Sequence, residues 1–216
     1  MRTPWYRHFF YRKQVLKTTW KLRLLIVAVL AVIVVVPHGF WTKKIGESLV
    51  CKEQVAPSDA LLLENFDINY LVFERAAALQ RAGVASRAFV PIGADTDSTE
   101  VSRQFVEIMA RTARLEKFET IPIQEKEPIS RNAAEQIRDF LNKEHIASVV
   151  VLSPAFRSRR SEMVYKAVLE PAGIRVGCVA VLGMYTPLNW VSSWHGIQEA
   201  VLQFLKLQYY RFYVLV

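Results

Sequence analysis

Residues 24–42 carry no formal charge, and the first thirteen of them, 24–36, are all aliphatic. No other feature limits the chain so strongly. At ~1.5 Å per residue, a helix over this run reaches roughly 28 Å, close to the hydrocarbon thickness of a bilayer. Trp20 and Trp41 stand near its two ends, where indole rings prefer the water–lipid boundary. A buried core helix is the competing reading, but valine and isoleucine all round the helix, with basic flanks, argue against it. Val36 is followed by Pro37, His38, Gly39, Phe40 and Trp41. That stretch lacks a small-x-small cleavage pattern, so a retained signal anchor is expected rather than a removed leader.

Charge points the same way. The 216 residues contain 28 Lys and Arg against 20 Asp and Glu, a net of +8. Nine of the basic residues and none of the acids fall within 1–44: Arg2, Arg7, Arg12, Lys13, Lys17, Lys21, Arg23, Lys43 and Lys44. The remaining 172 residues hold 19 basic against 20 acidic groups, a net of −1. A nucleic-acid-binding domain carries its basic footprint on the fold itself. Here the excess flanks an apolar run, which favours a lipid bilayer as partner and argues against nucleic acid.

Seven of the cations precede the run, so the positive-inside rule puts residues 1–23 in the cytoplasm and the body outside it. The body has no Asn-x-Ser/Thr sequon, which fits a bacterial protein, single-pass in the inner (cytoplasmic) membrane. Cys51 and Cys178 would then lie where disulfides persist. A bridge between them and two unpaired small hydrophobic residues both fit the sequence.

The expected organisation is a cytoplasmic N-terminus over 1–23, a transmembrane helix over 24–42, a linker over 43–57 and an extracytoplasmic α/β domain over 58–216. Apolar runs at 60–63, 87–92, 118–123, 147–152 and 174–182 read as strands. Helical periods fill 69–81, 98–116, 132–144, 159–170 and 193–212, with Gly83 ending the first. In the second, Val101, Phe105, Ile108, Met109 and Ala113 form the expected core stripe. Alternating strands and helices predict a Rossmann-like three-layer sandwich with a mainly parallel five-stranded sheet.

Ligands of such sheets gather beyond the carboxyl ends of the strands. That rule selects the loops 64–68, 93–98, 124–132 and 153–160. Residues 153–161 (SPAFRSRRS) carry the strongest signal. Ser153 closes a buried strand, and Arg157, Arg159 and Arg160 offer guanidinium forks where a helix begins, a setting for phosphate or carboxylate. Pairing of the same arginines with Glu162 on a solvated surface is the plainer alternative.

In the third loop Ser130 is placed to cap a helix and Asn132 is a candidate ligand contact. Glu64, Asn65 and Asp67 form an acidic lip able to act in proton transfer or simply to be solvated. Asp95 and Asp97 read as a capped helix start. There is no glycine-rich phosphate loop, no G-x-S-x-G and no H-E-x-x-H. His145 and His195 are the two histidines of the body, so no metal site is expected. No cofactor follows from the sequence.

Several of these stretches together resemble the domain of unknown function shared by the bacterial envelope proteins SanA and ElyC and by YdcF. The carriers are SDALLL from Ser58, Arg75, SRNA from Ser130, SPAFRSRRS from Ser153, and the segments RVGCVAV from Arg175 and WVSSWHGIQE from Trp190. The resemblance spans roughly 58–206. It implies a single-span protein with its domain outside the cytoplasm. Arg157 stands where that family has histidine, and Gly93 is what remains of a Gly-Gly pair. An anion-binding role in place of proton transfer is the implication.

The last helical stretch carries Phe204, Tyr209, Tyr210, Phe212 and Tyr213 among few charges. It reads as sheet-covering up to about Leu207. Beyond that, the bilayer surface and a homo-oligomer contact are both open. The functional expectation is an anchored envelope protein binding an anionic, phosphate-bearing envelope precursor through the arginine-rich loop, its transformation left open. The alternative is a non-catalytic membrane scaffold or partner-binding protein.

Overall fold

The structure is a computed structural model describing residues 19–35, 38–64, 69–94 and 98–215. It divides into two compact units, Met1–Trp41 and Thr42–Val216. In the first, helix α1 runs over Trp20–Val35, 16 residues or about 24 Å. Leu24, Leu25, Ile26 and Val27 are all exposed. Consecutive helical residues point about 100° apart, so this stretch has no polar side. Among the described residues, no helix is long and apolar enough to cross a membrane. The run 24–42 falls on α1, on residues 36–37 outside the described set, and on α2 (His38–Ser48).

The second unit is built on strands β1 (Ala60–Leu63), β2 (Arg87–Gly93), β3 (Phe118–Ile123), β4 (Ser148–Pro154) and β5 (Arg175–Val181). All pair in parallel, in the order β3-β2-β1-β4-β5. The chain winds outward from β1 to β3, then returns to β1 and winds the other way. That reversal puts a crevice beyond the carboxyl ends of β1 and β4, the site such Rossmann-like sheets reserve for ligands.

Side chains alternate across the sheet with a period of two. Leu61, Leu63, Val90, Val150 and Leu152 pack against α3 (Tyr70–Arg81) and α4 (Ser98–Ala113). Ala60, Leu62, Phe89, Val149 and Val151 pack against α5 (Ile129–Lys143) and α6 (Ala155–Leu169). Every residue of β1 is buried, as expected of a strand covered on both faces.

One core stripe and two helix starts differ from expectation in ways that bear on the site, each for a local reason. The core stripe of α4 is Val106, Met109, Ala110 and Ala113, while Val101, Phe105 and Ile108 are exposed. Ala110 and Ala113 share a cluster with Ala76 and Ala77 of α3, and small side chains permit that close approach of two helices. Helix α5 starts at Ile129, with Pro128 in the capping position, where its fixed φ suits a helix entrance. Ser130 therefore lies inside the first turn and is not a cap. Helix α6 starts at Ala155, immediately after β4, so the arginines sit on a helix and not on a loop.

A smaller third core lies over α6. Leu49, Phe156 and Trp190 meet Ala200 and Leu207 of α7 (Trp194–Tyr209), whose Ser193 cap accepts from the Gly196 N–H at 3.0 Å. A π-helical turn, Tyr210–Val214, continues α7. The stretch 43–57, expected as a linker, is tied to this domain. Leu49 is fully buried, the Cys51 N–H donates to Ser158 Oγ at 2.9 Å, and Cys51 is bridged to Cys178 by a disulfide. The Gln54 N–H donates to the Cys178 carbonyl at 2.9 Å, covering the free edge of β5. Gly177 makes the crossing feasible: a Cβ there would stand 2.7 Å from the Gln54 carbonyl oxygen.

Candidate functional site

The crevice at the reversal point is floored by a buried carboxylate. The Glu64 N–H donates to the Leu152 carbonyl at 2.9 Å, extending the β1–β4 ladder by one residue. This fixes its side chain beneath the N-terminal turns of α6, only 3% exposed. Ser153 at the end of β4 and Ser161 on α6 are buried, and each hydroxyl donates to Glu64 Oε2 at 2.5 Å. Each serine has one proton, so the pair is committed to this oxygen. Among the described residues, no donor to the other oxygen, Oε1, is found, and Glu64 lines the cleft.

That cleft has a volume of about 360 Å³. Arg157 and Arg160, three residues apart and hence on one side of α6, line it together with Lys206 and Tyr209 of α7 and Tyr210 of the turn beyond it. Exposed Glu125 and Glu127, from the segment joining β3 to α5, form the facing rim with Ser130. The buried Arg160 guanidinium lies 5.6 Å from the centre of the Tyr210 ring. Tyr210 accepts a bond from the Ser130 N–H at 3.0 Å, and Arg131 Nη1 donates to the Val214 carbonyl at 2.5 Å. The C-terminal turn is thereby locked onto the start of α5.

Behind the floor lies Tyr165, fully buried, its hydroxyl without a hydrogen-bond partner among the described residues. Burial pushes its ionisation well above the usual tyrosine value, the Glu64 charge adds to this, and Arg160 opposes it. The cleft is therefore polarised. Cations lie on the α6 and α7 side, carboxylates on the β3–α5 side, and a carboxylate oxygen at the base. Such a site can hold an anion and, beside it, a group that donates a hydrogen bond.

The sequence candidates divide accordingly. Glu64, Ser130, Arg157 and Arg160 share the cleft, and Ser153 supports Glu64 from below. Arg159 does not share it. It points to another side of α6, bonds Glu162 Oε2 at 2.8 Å and lines a separate cleft of about 620 Å³. Asn132 staples its own loop, donating to the carbonyls of Lys126 and Pro128 at 3.2 and 3.4 Å. Asn65, Asp67, Asp95 and Asp97 lie outside the described residues. His195 falls in the first turn of α7 and does not line the cleft.

Ser161, Tyr165, Lys206, Tyr209 and Tyr210 are additions made by the fold. Ser161 was within reach of sequence reasoning, since it follows Arg157 by one helical turn. The α7 residues, more than forty positions downstream, carry no such signal. Among the described residues, no group of three or more His, Cys, Asp or Glu side chains is placed to hold a metal ion.

No protein-family model matches the chain, and no curated protein matches it. Among solved structures, the crystal structure of an Aureusimine biosynthetic cluster reductase domain is similar, with 15% identity and a TM-score of 0.30. The match covers 52% of this chain and 39% of that one. A likeness this low carries no argument about activity.

Proposed function

We propose that the chain is a membrane-anchored envelope protein whose α/β domain binds an amphiphile bearing phosphate and hydroxyl groups, such as a lipid-linked sugar phosphate. The observation that carries this reading is the meeting of Arg157, Arg160 and Lys206 with Glu64 in one cleft at the sheet reversal. Guanidinium forks match phosphate oxygens in pairs. The second Glu64 oxygen then accepts from a neighbouring sugar hydroxyl, with Ser153 and Ser161 holding the carboxylate still. Helix α6 has no side-chain hydrogen bond capping its N-terminus, so an anion bound there meets the positive end of its dipole.

The apolar run 24–42 is the anchor in this reading, with 1–23 cytoplasmic. The Cys51–Cys178 bridge supports a domain outside the cytoplasm, where disulfides persist. The resemblance to the SanA, ElyC and YdcF proteins supports the same placement.

Calorimetric titration of the detergent-solubilised chain with a short-chain polyprenyl diphosphate sugar tests the site. Arg157→Ala should weaken binding roughly tenfold or more, from the ~1.5–3 kcal/mol of a hydrogen bond to a charged group. Arg159→Ala, on the other side of the helix, should leave it unchanged. Equal affinity for all three proteins removes the arginine assignment and leaves the domain as a partner-binding module.

A further inference from the structure

The surface of α7 is divided in an unusual way. Its buried residues, Gly196, Ala200, Gln203 and Leu207, recur at helical spacing on the face toward the fold. The opposite face should be polar in a helix at a water boundary. Instead Trp194, Val201, Leu202, Leu205, Tyr209 and Phe212 are all exposed there, Leu205 to 60%. From Trp194 to Leu215 the charged residues are Glu199, Lys206 and Arg211, besides His195.

The two cations sit on opposite flanks of this apolar ridge. Lys206 lines the ligand cleft on one side. Arg211 lines the larger cleft on the other, with Lys52 and Arg159. Glu47 is the acid there, and it is engaged by Lys43 and Lys44 at 3.7 and 3.4 Å.

We infer that the outer face of α7 lies on an anionic lipid bilayer, its aliphatic and aromatic ridge at the acyl boundary and its flanking cations among the head-group phosphates. This extends the anchored reading above and rests on it for orientation. An apolar ridge with cations on both flanks is the pattern of an interfacial helix, and the acid of α7, the half-buried Glu199, lies off the ridge on the Lys206 flank. The second exposed apolar stripe, on α4, is interleaved with Glu100, Arg103, Glu107 and Arg111 and lacks that pattern.

The tether agrees with the charge. Trp190 Nε1 donates to the carbonyl of Thr42, the first residue of the domain unit, at 2.9 Å. Trp190 packs with Ala200 and Leu207 of α7, so the chain joins the domain beside this helix. Because Lys206 and Tyr209 belong to both ridge and cleft rim, a lipid-borne phosphate reaches Arg157 and Arg160 without leaving the membrane.

The test uses the full chain, reconstituted with an environment-sensitive fluorophore on one introduced cysteine, the native pair being bridged. The positions are Leu205→Cys on the ridge, Val27→Cys in α1 and Glu116→Cys before β3. Vesicles contain phosphatidylglycerol with doxyl-labelled lipid, or phosphatidylcholine alone. The expected result is a blue shift and quenching by doxyl lipid at 205, stronger in the anionic vesicles, with none at 116. Quenching at 27 without quenching at 205 overturns the inference and leaves the anchor standing. Quenching at 205 but not at 27 supports the α7 surface and removes the anchor. A blue shift at 205 in detergent and vesicles alike, with dimer mass, assigns the ridge to a second copy and overturns the inference. Ligand binding by Arg157 is read separately by calorimetry, so neither failure mimics the other.

Discussion

Removing the Cys51–Cys178 bridge should destabilise the domain without dismantling it. The two cysteines are 127 residues apart in sequence. Closing a loop of that length restricts the unfolded chain by about 5 kcal/mol in the chain-entropy treatment, and native bridges commonly give ~2–5 kcal/mol. The native contacts around it persist in a Cys51→Ser, Cys178→Ser variant. Leu49 stays buried, Ser158 still accepts from residue 51, and the Gln54 N–H still reaches the carbonyl of residue 178. The loss therefore falls mainly on the unfolded state. With a urea slope of ~2.5 kcal/mol per molar for a domain of this size, the midpoint should drop by roughly 1–2 M. Circular dichroism in mild detergent reads the transition. Reduction of the wild-type chain should reproduce the shift, because the serines add no contact of their own. Two results would refute the reasoning: an unchanged midpoint in the double variant, or a shift in the variant that reduction fails to match. The second would assign the effect to burying hydroxyls where sulfur stood.

Two pH dependences follow from local hydrogen bonding. Asp59 Oδ2 accepts from the Ala147 N–H and from Ser148 Oγ, both at 2.9 Å, and the Ser148 bond is the main cause of its lowered carboxyl pKa. A depressed folded-state value contributes stability above the ordinary aspartate range, lost as pH falls through the folded value. Urea midpoints of wild type and Asp59→Ala should thus differ at pH 7 and converge toward pH 3; a constant gap contradicts this. Tyr165 has the opposite sign, since its folded form keeps a proton that the unfolded chain releases above about pH 10. Stability should fall from pH 9 to 11 in wild type and fall less in Tyr165→Phe. At pH 7 the phenylalanine variant should be unchanged or more stable by up to ~1 kcal/mol, because the hydroxyl it loses is buried without a partner among the described residues. A marked loss of stability at pH 7 would instead mean that the hydroxyl is bonded.

The centre of the sheet was legible because β1 and β4 are buried on both faces. Residues 60–63 read as a strand from an apolar run alone and 118–123 from apolar positions among polar ones, and β1 and β3 have those bounds. Where two apolar stripes compete, periodicity cannot choose between them. On α4, the set 101, 105, 108 and the set 106, 110, 113 point about 140° apart. The alanine contacts with α3 decide in favour of the second. The role of residues 43–57 was hidden for a different reason, since an edge-covering segment and a solvated tether have the same polar composition.

At the site, the sequence showed which residue types were present but not how many face one way, and the start of α6 governs that. With a helix from Ala155, Arg157, Arg160 and Ser161 rise on one side, three and four residues apart, while Arg159 turns about 130° from the mean direction of the other two arginines. With a loop through 153–158, no such phase exists, and three arginines look equivalent. The absence of any residue between β4 and α6 thus converts a diffuse basic stretch into two guanidinium groups above Glu64 and a third paired with Glu162. The same phase places Ser161 against the carboxylate, where Ser153 already meets it from the strand. A substitution that shifts the start of α6 would therefore disturb arginines and carboxylate together, whereas Arg159 variants should leave both in place.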